Sequence, residues 1–151
     1  MNTVIDTTPI AGHGVLAALR DLDHEPERSM ADMLHIAAEQ AGLLQKLLPG
    51  PRSQVSAQLT NLIPAILVEQ VAHLPAPGIS YWANHYWHIH VREDDSANAT
   101  AFTVFHQLKR IIDHPLRRHA TAFGDAGWDI LAKYFAWQVL TGTPSRMEGN
   151  I

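Results

Sequence analysis

Phe102-Thr103-Val104-Phe105-His106-Gln107-Leu108-Lys109-Arg110-Ile111-Ile112-Asp113-His114-Pro115 is the stretch on which the reading of this chain turns. Phe102, Phe105, Leu108, Ile111 and Ile112 recur at three- and four-residue intervals, which gathers apolar side chains onto one stripe of an α-helix. This predicts a helix near 98–113, with Ser96 positioned to cap its start. His114-Pro115 should end it, because the residue before a proline disfavours helical backbone. The same spacing sets His106 and Arg110 one turn apart on one side of the helix.

Downstream, a loop containing Gly124 and Gly127 leads to a last helix over about 128–140, with Leu131, Phe135, Val139 and Leu140 as its apolar residues. Gly142 and Pro144 terminate it. Upstream, the period changes to two. Trp87, Ile89 and Val91 share one face of a strand over 86–91 and suit the core; Tyr86, His88 and His90 share the other and suit solvent. Asn84-His85 reads as a two-residue turn back to a strand over 79–83. A β-branched run over 65–71 predicts a third strand. Ser29, with Asp32 three residues on, opens a helix carrying Met33, Leu34, Ala37, Ala41, Leu44 and Leu48, stopped at Pro49-Gly50-Pro51. Shorter helices fit 53–62 and 14–22, the latter followed by a charged turn through Pro26. Helices, three short strands, then two helices make an α+β domain over 14–144, with a flexible N-terminus at 1–13 and a tail at 145–151.

The chain has 151 residues, 46% hydrophobic and 17% charged, enough apolar material for one core. It contains no cysteine, which excludes disulfides and thiolate metal sites and fits a reducing cytosol. Eleven basic against fifteen acidic residues argue against a broad nucleic-acid footprint. The densest basic stretch, Lys109-Arg110 then Arg117-Arg118, is interrupted by Asp113. No apolar run approaches the roughly 20 residues of a membrane span, and no signal peptide is apparent. A cytoplasmic protein with no direct nucleic-acid or membrane contact is expected.

The 102–115 stretch resembles the metal-binding helix of the ImmA/IrrE zinc metallopeptidases, which reads F-T-x-x-H-E-x-x-H and in some branches ends in I-I-D-H-P. That family's next helix carries a zinc-binding acid before A-x-x-F-A, and Asp129-Ile130-Leu131-Ala132-Lys133-Tyr134-Phe135-Ala136 aligns Asp129 with the acid. Gly78-Ile79-Ser80-Tyr81-Trp82, Trp87-His88-Ile89-His90-Val91 and the helix with Ala37, Ala38 and Ala41 are also similar in style. The resemblance implies a zincin-like fold: N-terminal helices, a small three-stranded sheet and two C-terminal helices framing a cleft.

In an intact motif of this kind, two histidines one turn apart and an acid hold zinc, and the glutamate activates its water. This chain keeps His106 at the first ligand position but has Gln107 at the general-base position and Arg110 in place of the second histidine. Glutamine cannot take the water's proton, and arginine stays protonated and repels a metal. No catalytic residue set is intact. Two readings of the altered positions stay open: Arg110 forms an ion pair with Asp129, replacing the zinc charge, or Arg110 reaches solvent while Asp129 caps its helix.

No cofactor is expected, and a rewired zinc site would draw on His106, Asp129, His88 and His90. His114 lies roughly 12 Å along the helix from His106, too far to share an ion with it. Trp82, Trp87, Trp128 and Trp137 read as core or groove residues. The resemblance implies a catalytically degenerate regulator that binds a protein or peptide, such as a transcriptional repressor in a phage, mobile-element or stress system, by strand addition at the sheet edge. The alternative is an active zinc endopeptidase with rearranged ligands. A self-associating structural module is a third class, though no long heptad supports it.

Overall fold

The computed structural model describes residues 14–23, 29–48, 50–118 and 123–142. The expectations for the two termini, the Pro26 turn, and the stops at Pro49 and Pro144 fall outside these residues. Among the described residues the chain is α+β, with helices α1 (Gly14–Asp21), α2 (Met30–Leu47), α3 (Val55–Leu62), α4 (Ala97–Arg117) and α5 (Gly124–Thr141). A 3-10 turn at Arg52–Gln54 precedes α3, and strands β1 (Ile66–Val71), β2 (Gly78–Ala83) and β3 (Tyr86–Arg92) lie between α3 and α4.

Local chemistry accounts for most element ends. The Ser29 hydroxyl accepts the Asp32 backbone N–H at 3.1 Å to start α2, and Ser96 does the same for Ala99 at the start of α4. Asn84 and His85 both take positive φ, 55° and 69°, the geometry of the two-residue hairpin turn joining β2 to β3. The sheet order is β1-β3-β2, with β1 parallel and β2 antiparallel to the central β3. Strand β2 is therefore an edge.

One face of the sheet packs on α4. Ile66, Ile89 and Val91 meet Ala101, Val104, Phe105, Leu108 and Ile112 in the main core, which also takes in Phe135 and Ala136 of α5. The small residues Ala37 and Ala41 of α2 lie in the same core, where their size permits close packing. A second cluster joins Met33 and Ile36 of α2 to Trp128 and Leu131 of α5. The Gln45 amide of α2 donates to the Gln138, Val139 and Gly142 carbonyls, adding to the Gly142 N–H bond to Gln138 O at the end of α5.

Two helix boundaries differ from the sequence reading. Helix α4 does not stop at His114 but runs to Arg117 with Pro115 inside it. Proline has no N–H for the Ile111 carbonyl, and Arg20 supplies the missing donor: Nη2 reaches Ile111 O at 2.7 Å and Nε reaches Ile112 O at 3.1 Å. Helix α5 begins at Gly124, ahead of the expected 128, with Gly124 at φ 66° where the chain enters the helix and Gly127 inside the first turns. A Cβ on Gly127 would come within 2.7 Å of Phe123, so that glycine serves packing, not a loop.

Lys109 differs too. It is fully buried, so Lys109-Arg110 is not a surface basic stretch. Its ammonium donates to Asp113 Oδ1 at 2.8 Å and Gln40 Oε1 at 2.6 Å, and the Gln40 amide donates in turn to Leu19 O at 2.9 Å. Burial pushes the Asp113 carboxyl above its ordinary range, and the neighbouring Lys109 charge opposes that rise.

Candidate functional site

The free edge of β2 and the outward side of α4 enclose a cleft of about 540 Å³. Gly78, Ile79, Ser80, Tyr81 and Trp82 line it along β2, with His106, Gln107, Arg110, His114 and Arg117 from α4 and Asp129 from α5. Gly78 lets strand and helix approach this closely. A Cβ there would meet Thr103 Cγ2 at 2.3 Å.

The motif positions converge in this cleft. His106 Nε2 lies 2.9 Å from Asp129 Oδ1, and Lys133 Nζ lies 3.1 Å from Asp129 Oδ2. A carboxylate only accepts, so His106 carries its proton on Nε2. Its bare Nδ1 then accepts the Gln107 amide at 3.3 Å, and the same amide nitrogen donates to the Gly78 carbonyl at 3.3 Å. The result is a chain of hydrogen bonds from the β2 backbone through Gln107 and His106 to Asp129 and Lys133. Glutamine suits it because the amide has two protons, whereas a carboxylate at 107 would face two acceptors with none.

Burial holds the His106 imidazole below its ordinary value, helped by the Arg110 and Lys133 charges and opposed by Asp129. Burial alone would raise the Asp129 carboxyl, but hydrogen bonds from Lys133 and His106 outweigh it and pull the group below the usual range.

The Arg110–Asp129 ion pair is not formed among the described residues, and Asp129 does not cap α5, which starts five residues earlier at Gly124. Lys133, one turn along the same helix as Asp129, takes one carboxylate oxygen and His106 takes the other. Lys133 is brought beside Asp129 by their i,i+4 spacing on one helix, whereas Arg110 would have to reach across from α4. Arg110 instead lines the cleft, where Arg117 donates to its backbone carbonyl at 3.5 Å. His114 also lines it, edge-on to Trp87 at 5.1 Å between ring centres.

Zinc does not fit at these positions. His106 and Asp129 are two candidate ligands already hydrogen-bonded to each other, and Arg110 and Lys133 set positive charge beside them. Nor do His88 and His90 supplement them. In the register of the sheet, Trp87, Ile89 and Val91 face α4, which turns His88 and His90 to the opposite face, away from the cleft.

On that outer face the histidines are half-buried, where open solvent was expected. Tyr81 stacks on His88 at 4.9 Å, and its hydroxyl lies 3.1 Å from His90 Nε2. Glu69, the register partner of His90 on β1, places Oε1 2.9 Å from the same nitrogen. Glu69, His88 and His90 each offer a ligand atom, all within 4.8 Å of one another, so this group could hold a metal ion. Of the tryptophans, Trp128 is buried and Trp82 and Trp87 line the cleft, but Trp137 is exposed.

No protein-family model, characterised protein or solved structure matches this chain. Two side chains of these arrangements, Glu69 and Lys133, escaped the sequence reading. The i,i+4 spacing of Asp129 and Lys133 was a usable signal for the second. Glu69 had only strand alternation as a signal, since its pairing with His90 depends on a parallel register.

Proposed function

We propose that the chain is a non-catalytic regulator that receives an extended peptide segment of a partner protein in the β2–α4 cleft. The observation carrying this is the run of Gly78 to Trp82, a strand edge with no neighbouring strand among the described residues, which lines a cavity from end to end and is met by a side chain at the Gly78 carbonyl. An added strand would gain backbone hydrogen bonds along that edge, with alternate side chains set against Trp82 and Trp87. Arg110 and Arg117 form no ion pair among the described residues, so the matching segment carries acidic residues at that end. A transcriptional repressor is the partner class the ImmA/IrrE resemblance implies. The rival reading, a zinc endopeptidase with rearranged ligands, draws no support from a cleft that has Gln107 for a base and cations beside His106.

The test is to pan a random peptide library on the full chain and measure the selected peptides by calorimetry. Extended, acidic peptides should emerge, with affinity lost in Trp82→Ala and reversed in charge preference by Arg110→Glu. Zinc-dependent hydrolysis of a bound peptide, abolished by His106→Ala, would sink the proposal.

A further inference from the structure

The strongest unassigned chemistry lies on the other side of the sheet. We infer that Glu69, His88 and His90 form a binding site for a divalent transition-metal ion of the zinc type, independent of the cleft and of the peptide-binding reading.

The geometry begins with strand alternation. His88 and His90 are two residues apart on β3 and share a face, with ring centres 6.5 Å apart. Parallel pairing of β1 with β3 sets Glu69 beside His90. Ligand atoms drawn from all three lie within 4.8 Å of one another, a spread that small side-chain rotations close to the about 2.0–2.2 Å bonds zinc makes to imidazole and carboxylate.

A second observation concerns proton placement. His88 Nε2 lies 3.0 Å from the Ala83 carbonyl, which can only accept, so that nitrogen carries the proton. The ring's lone pair is therefore on Nδ1. That atom is buried and has no hydrogen-bond partner among the described residues. An orphaned buried acceptor is costly, and a cation would satisfy it. The contact to Ala83 also fixes the ring and its tautomer, the role an outer partner plays for a ligating histidine.

His90 supplies a second nitrogen. Its Nε2 faces Glu69 and the Tyr81 hydroxyl, so a cation bound there takes the place of the hydrogen bond between His90 and Glu69, with the neutral ring carrying its proton on Nδ1. Glu69 is half exposed, which leaves a fourth position open to water. Two imidazoles and a carboxylate suit zinc and its neighbours over magnesium or calcium, which prefer all-oxygen sets. Arg92, the nearest cation on β3, pairs with Asp94 and Asp95.

The experiment is a zinc titration of the full chain against a chromophoric chelator at neutral pH. About one zinc per chain is expected, with affinity at least about tenfold weaker in Glu69→Gln and His90→Asn and unchanged in His106→Asn and Asp129→Asn. Cobalt(II) should give visible bands of tetrahedral intensity in the wild type and not in Glu69→Gln. Because Glu69 is half exposed, Glu69→Gln leaves the fold intact, which circular dichroism checks. No zinc uptake, uptake that survives Glu69→Gln and His90→Asn, or uptake lost in His106→Asn would each overturn the inference. None of these outcomes bears on peptide binding at Trp82, so the two proposals fail separately.

Discussion

Helix α4 carries two adjacent cations with opposite circumstances. Lys109 points into the protein and is enclosed, held by Asp113 and Gln40. Arg110, about 100° further round the helix, lines the cleft and joins no ion pair among the described residues. Removing a charge from water is so costly that Lys109 is tolerable only because its ammonium meets a carboxylate and a second acceptor. Arg110 is only partly buried, faces the cleft and so stays available to a ligand. Position around the helix decides which of two neighbouring cations is structural and which can act on a partner.

The comparison breaks most visibly at Lys109. Lys109→Ala strands the Asp113 carboxylate in the core and should cost about 3–5 kcal/mol in urea unfolding. Combining Lys109→Met with Asp113→Leu should recover most of this, since the pair goes together, but the orphaned Gln40 Oε1 keeps a residue of about 1–3 kcal/mol. Gly78→Val should cost about 1–3 kcal/mol, because the side chain collides with Thr103 and pushes β2 off α4. It should also abolish any binding at the cleft.

Smaller effects sharpen the cleft side. Gln107→Glu removes both donors from the chain between Gly78 and His106 and should lower stability by about 1–3 kcal/mol near neutral pH. Arg110→Ala should change stability by less than about 0.5 kcal/mol, while weakening acidic peptides clearly in calorimetry. A loss at Arg110 comparable to that at Lys109 would refute the contrast between them.

The smallest expected effect is on pH. His106 and Asp129 both sit below their ordinary values in the folded chain. A group whose folded pKa is depressed contributes stability above its unfolded pKa and loses it as pH falls through the folded one. Stability should therefore slope downward from the ordinary His106 value of 6.5 toward acid, with Asp129 adding to the loss below its ordinary 3.8. His106→Gln should flatten the upper part of that slope, read from unfolding midpoints between about pH 7 and pH 5.

The amino-acid sequence by itself determined what is local. The caps at Ser29 and Ser96 and the Asn84-His85 turn follow from side-chain and turn chemistry, and the apolar stripe from Phe102 to Ile112 and the shared face of His88 and His90 follow from periods of 3.6 and 2. That Gln107 cannot act as a base needs only its chemistry. The tertiary structure alone decided what depends on partners distant in the chain. Arg20 reaches the carbonyls that let α4 pass Pro115, Gln40 makes a buried Lys109 tolerable, and the parallel register of β1 brings Glu69 to His90. The partners of Asp129 were settled there as well, with His106 reaching one oxygen from α4 and Lys133 the other from its own helix. Helix and strand periods set which side chains share a face; only packing sets what that face meets.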